Sequence, residues 1–195
     1  MLISEDKPHV TINSFTEKSV SEVLSQLDKL EARYGLDQPI LVQIDSYGGS
    51  VHGLSVLYDR LKGMQHPIIT YTSSKAMSAG AILLSSAASP GLRFASPEAS
   101  ILVHEIQSGA LGDIKDIEDQ VNYLRILNEK WMSILAKSMG LENHKDIRKL
   151  IKKHTIGQDV HLTAHQAKKL GLIDDVVSIK LVPFYGWQLT KVRHK

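Results

Sequence analysis

Short apolar runs alternate with helix-patterned segments along most of this chain, and that alternation limits its fold more than any other feature. His9-Val-Thr-Ile12, Ile40-Leu-Val-Gln-Ile44, Pro67-Ile-Ile-Thr-Tyr-Thr72, Leu92-Arg-Phe94 and Ser100-Ile-Leu-Val103 each read as strands. Between the first two, Ser19-Val-Ser-Glu22 is a capping-box pattern. Val20, Val23, Leu24, Leu27 and Leu30 follow on one face, and Gly35 is a natural stop. Further helices are predicted from about Val51 to Lys62 and from Ser78 to about Ala88. This order predicts an α/β fold with largely parallel strands. With 195 residues, 43% of them hydrophobic, the chain can bury a full core as one domain spanning 1–195.

No Gly or Pro lies between Gly112 and Gly140, and Ile114, Ile117, Val121, Leu124 and Leu135 fall at helical spacing. A helix of roughly 27 residues is about 40 Å long, longer than such a core is wide, so it is predicted to project. Leu127, Trp131 and Met132 add apolar surface towards its far end, which calls for a partner chain. A basic helix is predicted from about Lys145 to His154, and its face reads as solvated. Thr163-Ala-His-Gln166 is a second capping box, ended by Gly171, and Val176-Val-Ser-Ile179 reads as a strand. Residues 180–195 read as a C-terminal tail.

Several chemistries are excluded. Without cysteine there are neither disulfides nor thiolates, and a net charge of +2 does not argue for nucleic acid. The opening Met-Leu-Ile-Ser-Glu-Asp-Lys-Pro is too polar for a signal peptide, and no apolar run approaches a membrane span, so a cytoplasmic location is expected. No metal site is expected: His104-Glu105 meets Ser108 where a zincin would place histidine, and His161 precedes the Thr163 cap. No Gly-Lys-Ser/Thr loop could cradle a nucleotide, and no cofactor is implied.

The stretch Ala76-Met-Ser-Ala-Gly-Ala81 seats a serine among small neighbours at a strand-to-helix junction. Such a hydroxyl faces unpaired helix N–H groups and leaves room for a substrate backbone. Helix capping explains a lone serine equally well, and the nucleophile-elbow pattern is absent, since Ala76 stands where it needs glycine. A nucleophilic serine needs a base and an acid to orient it. His104, closing a strand, and Asp159, in a loop, are candidates, though each also reads as an ordinary surface or turn residue. The N–H of Ala79 and the backbone at Gly48-Gly49 are candidate oxyanion donors; the glycines also serve a tight turn.

Asp45-Ser-Tyr-Gly-Gly49, Ala76-Met-Ser-Ala-Gly80, Ile101-Leu-Val-His104 and Asp159-Val-His-Leu-Thr-Ala-His-Gln-Ala167, followed by Leu170-Gly-Leu-Ile-Asp174, together resemble the ClpP family of serine peptidases in order and spacing. The resemblance covers about residues 9 to 178. It implies the repeated β-β-α superhelix shared with crotonases, with a projecting handle region over about 113–155. It further implies Ser78 as nucleophile, His104 as base, Asp159 as its orienting acid, and oxyanion N–H groups from Gly49 and Ala79. Gly48 would lie against the substrate, and Gly109 and Gly112 would belong to a strand that pairs with it. The implied substrates are peptides and unfolded proteins, cut after apolar residues inside a homo-oligomeric chamber of one or two seven-membered rings.

The chain also departs from the family pattern. Ile106 and Tyr47 replace prolines, Leu41 and Gln43 stand where docking aromatics are frequent, and Gln158 replaces an arginine that pairs across rings. The chain begins almost at its first strand, so it resembles a ClpP without axial loops. Poor or absent engagement of a Clp-type ATPase is therefore expected. The alternatives are a catalytically inactive ring subunit, an SppA-type serine–lysine peptidase using Lys75, and acyl-CoA chemistry on the crotonase branch.

Overall fold

The computed structural model describes residues 8–109, 111–143, 145–147, 149, 159–182 and 186–191. The expected alternation is present. Strands β1 (His9–Ile12), β2 (Ile40–Ile44), β3 (Ile68–Thr72), β5 (Arg93–Ala95) and β8 (Asp175–Val182) form a parallel sheet in that spatial order. Strand β9 (Gly186–Lys191) adds to its edge, antiparallel to β8, so part of the segment read as a tail is a hairpin. A second sheet of three strands contains β4 (Lys75–Met77), β6 (Ser100–Val103) and β7 (Val160–Thr163). Strand β4 is parallel to β6, and β7 is antiparallel to it. A parallel bridge between Ser46 and Ala76 joins the two sheets.

Helices α1 (Glu17–Arg33), α2 (Val51–Gly63) and α3 (Ala79–Ser86) cover the large sheet. Their buried faces, Val20, Val23 and Leu27 on α1 and Leu54, Leu57 and Leu61 on α2, meet Ile40, Val42, Ile44 and Ile68 of the sheet in one core. Helix α1 starts earlier than the sequence suggests. Thr16 is its N-cap, accepting from the Ser19 N–H, while the Ser19 hydroxyl donates back to the Ser14 carbonyl. Two Ser/Thr positions compete there, and the one whose backbone is extended takes the cap. Short α5 (Ala164–Lys169) carries the complete Thr163/Gln166 capping box. On the other sheet face, Leu41, Ile69, Tyr71 and Val177 form a separate buried cluster. Leu41 is therefore not available at the surface for docking, and the Gln43 amide is held by Asp45 and Ser73.

Helix α4 (Ile114–Ser138) is capped by Asp113 and has two unlike halves. Its C-terminal half buries Asn128, Trp131, Met132, Leu135 and Ala136. Its N-terminal half exposes Ile114, Tyr123 and Ile126, and Leu111 before it is 90% exposed. The expected docking surface at Trp131 and Met132 is thus corrected. Those side chains enter the chain's own core, and the unpartnered apolar face belongs to the opposite end. Most of the expected helix 145–154, and Gln158, lie outside the described residues.

Arg93 ties these layers together. Its Nε and one terminal nitrogen form a two-pronged pair with the Asp174 carboxylate at 3.0 and 2.6 Å, and the other terminal nitrogen donates to the carbonyls of Ser138 and Gly171, both at 2.8 Å. The backbone closes the same junction, Arg93 N–H to Asp174 and Asp174 N–H to the Arg93 carbonyl. Burial alone would raise the Asp174 carboxyl, but the Arg93 hydrogen bonds and charge outweigh it and hold it below the ordinary carboxylate range.

Candidate active site

Ser78 connects β4 to α3 with φ 55° and ψ −121°, the one non-glycine residue with positive φ among the described residues. Such a conformation costs on the order of 1–3 kcal/mol and persists only where its surroundings impose it. Two contacts impose it here. The Ser78 N–H donates to the Leu102 carbonyl at 2.9 Å, continuing the β4–β6 ladder to the end of the strand. Gly48, at φ 104°, lies against it so closely that an added Cβ would sit 2.8 Å from the Ser78 Cβ and 2.9 Å from the Met77 carbonyl. The capping explanation for Ser78 fails, because its hydroxyl caps nothing. The N–H of Ala79, first in α3, has no acceptor among the described residues.

The three-stranded sheet places the other candidates. Strands β6 and β7 pair as Leu102 with His161 and Val103 with Val160. One further step in that register sets His104 opposite Asp159. Ser78 ends the parallel β4 beside the same end of β6. All three residues therefore sit at one end of one small sheet. His104, Ser78, Ala79 and Gly49 line a common cleft of about 60 Å³, closed by Val51, Leu54, Ile82, Ile106, Gln107 and Trp131.

No hydrogen bond links His104 to Asp159 or to Ser78 in this arrangement. The His104 Nδ1 lies against the Glu105 carbonyl. A carbonyl only accepts, so Nδ1 is the donor in that contact. The Asp159 Oδ1 is buried with no partner among the described residues. Lys75, the alternative base, holds its ammonium over the Tyr47 ring at 4.5 Å from the centroid. Gly109 and Gly112 do not line this cleft; they lie between β6 and α4, where none of the described residues is in a strand. Gly112 serves the start of α4, where a Cβ would stand 2.7 Å from that of Asp116.

Two contributors escape sequence reading. Asn128 on α4 accepts from the Ile106 N–H at 3.0 Å and so fixes the wall beyond His104. Asp45 organises the turn that leads into β4. It accepts from the N–H groups of Ser73 at 2.9 Å, Ser74 at 2.8 Å and Lys75 at 3.4 Å, from the hydroxyls of Thr72 and Ser73, and from the Gln43 amide. Burial pushes the Asp45 carboxyl up, but these hydrogen bonds more than offset it and leave it below its ordinary value. The unfolded chain therefore takes up this proton first as pH falls. The stability Asp45 and Asp174 contribute is complete above about pH 5 and is lost as pH drops through their folded values, below about 4. Asp45→Asn should narrow that acid-side loss. Melting curves of the two proteins between about pH 7 and 3 should converge towards acid, and parallel curves would contradict the assignment.

An α/β scaffold that holds a serine at positive φ on a strand-to-helix turn, with a histidine in the same cleft, is built as serine hydrolases are. The sequence model of the Clp protease family matches residues 5–180. The chain is 36% identical over 165 residues to the ATP-dependent Clp protease proteolytic subunit 1 of Rhodococcus jostii (strain RHA1), covering 84% of this chain and 71% of that one. It is 32% identical over 163 residues to the subunit 1 of Tropheryma whipplei (strain Twist), covering 83% and 75%. The chain belongs to the Clp protease family, and it is a ClpP-type serine peptidase by that membership.

Proposed function

We propose that this chain is a serine endopeptidase that cleaves peptides and unfolded proteins inside a ring of its own copies. The observation that carries this reading is the strained Ser78, placed with His104 and Asp159 at one end of the three-stranded sheet. Ser78 Oγ attacks the peptide carbonyl. His104 Nε2 takes its proton and later delivers it to the leaving amine. Asp159 orients the imidazole through Nδ1–H once that N–H turns from the Glu105 carbonyl to the orphaned Asp159 oxygen. The N–H groups of Ala79 and Gly49 receive the oxyanion. In this reading the backbone about Gly109 lies along an extended peptide, as strand addition requires. A fluorophosphonate probe tests the nucleophile: it should label Ser78 and no other residue.

The lack of a hydrogen bond between His104 and Asp159 also suits a second reading, a ring subunit without activity. Absence of both probe labelling and casein cleavage would select it. In either case the exposed Leu111, Ile114 and Ile126 require cover. Sedimentation should show rings, with seven copies the expected number, and Ile126→Asp should weaken the assembly. A monomer at micromolar concentration would refute this. Named relatives are ATP-dependent proteolytic subunits. For this chain, with Leu41 buried and Gln43 tied to Asp45, poor engagement of a Clp-type ATPase is expected. Among the described residues, no helix is long and apolar enough to cross a membrane.

A further inference from the structure

Strand β6 ends at Val103, and the residues from His104 to Gly109 belong to neither helix nor strand. The base therefore stands one residue past the end of its ladder, on backbone that needs another anchor. Asn128 supplies one. It is 8% exposed, on the half of α4 that also buries Trp131 and Met132 one turn further along. Its Oδ1 accepts from the Ile106 N–H at 3.0 Å. An N–H can be met only by the amide oxygen, so this contact also fixes which way the amide faces. The Ile106 N–H and the Glu105 carbonyl belong to one planar peptide group, whose two polar ends point in opposite directions. The His104 Nδ1 lies against that same carbonyl. One rigid unit thus has Asn128 at one end and the imidazole at the other. The anchor is itself held, since Trp131 on the next turn meets the Tyr58 ring of α2 edge-on at 5.5 Å.

We infer that Asn128 is a positioning residue for the reaction, holding the Glu105–Ile106 peptide, and through it His104, in place beside Ser78. Asn128 does not line the cleft itself and acts through Ile106, which does. The inference rests on His104 being the base that serves Ser78. In that reaction the imidazole turns from the Glu105 carbonyl towards Asp159. It can do so about its own side-chain bonds alone only if its backbone stays still. Without the Asn128 oxygen the part-buried Ile106 N–H loses its acceptor, and the peptide rotates to find another. The base is then off the line to Ser78 part of the time, and a misplacement of about 1 Å lowers turnover by up to ~10²-fold. The family pattern has proline at this position, with no N–H to satisfy and a fixed φ. Ile106 has neither property, and Asn128 supplies the restraint instead.

Two substitutions separate this role from plain packing. Asn128→Leu keeps the volume and removes the acceptor, and an apolar side chain suits a buried site. Asn128→Asp keeps an acceptor oxygen and brings a charge that burial disfavours. Packing alone therefore ranks Asn128→Leu above Asn128→Asp in melting temperature and in turnover. The positioning role reverses the order in turnover. In Asn128→Leu kcat should fall about tenfold or more with KM within about twofold, and in Asn128→Asp it should fall less. Rates are compared on the plateau of each pH profile, and melting curves show that the variants fold. Asn128→Ala removes the same acceptor should Asn128→Leu not fold. A second arm uses Ser78→Ala protein with its histidines isotope-labelled at ring Cε1, the His104 signal being assigned through His104→Gln. Asn128→Leu should displace or broaden that signal, and Asn128→Asp should leave it nearer its original position. This arm needs no turnover, so it reads Asn128 even if the peptidase reading fails. Asn128→Leu at least as active as Asn128→Asp, or a His104 signal unmoved by Asn128→Leu, would overturn the inference and leave Asn128 a packing residue of α4.

Discussion

Ser78→Ala should lower peptide hydrolysis by on the order of 10⁴-fold or more while leaving the fold unchanged. The substitution deletes one oxygen that caps no helix and makes no hydrogen bond on which the structure depends. The strained backbone remains, because alanine keeps the Cβ and Gly48 still presses against it. Stability should therefore stay within about 0.5 kcal/mol, the range of substitutions that touch no structural contact. A fluorogenic peptide and casein give the activity, and thermal melting gives the control. Turnover that survives the substitution would remove Ser78 from the mechanism and, with it, the purpose of its strained turn.

The largest loss of stability should come far from that serine. Arg93→Ala is expected to cost about 3 kcal/mol or more, since it strands the Asp174 carboxylate and the carbonyls of Ser138 and Gly171 at a largely buried junction. Arg93→Lys should recover little, because an ammonium cannot make the planar two-pronged contact and reach two carbonyls at once. Urea unfolding at matched protomer concentration measures both, as any association of copies adds to apparent stability. A loss below about 1 kcal/mol, the level of an exposed pair, would show that solvent replaces these contacts.

Most of the architecture was legible because periodicity reports burial directly. The strands at His9–Ile12, Ile40–Ile44 and Ser100–Val103 and the long helix agree with their patterns to within a residue or two. What was not legible has physical reasons. Strand β4 has three residues, too few to show a period, and it exists because Ser46 and β6 flank it. The apolar far end of α4 was correctly seen as needing cover, but the pattern does not say whether cover comes from another copy or from the chain itself. Asp45 looks like a turn residue, since backbone N–H donors leave no mark in a sequence. The residues of the candidate site stood out only as motifs taken together. Ser78, His104 and Asp159 are each commonplace alone, and the sheet register that groups them joins residues far apart in the chain.

That register also determines which changes the chain can absorb. Side chains on a strand alternate faces, so His104 stands opposite Asp159 only while β6 and β7 keep their present phase. Lengthening the chain anywhere between Gly140 and Gln158 would leave this phase untouched. Inserting a single residue between Asp159 and Thr163 would rotate the aspartate to the opposite face and bring a different side chain to the histidine. The site thus works like a vernier. It ignores large changes in the distance travelled by the chain and responds to a shift of one division, so length variation is expected to accumulate before Asp159 and to be absent from the four residues after it.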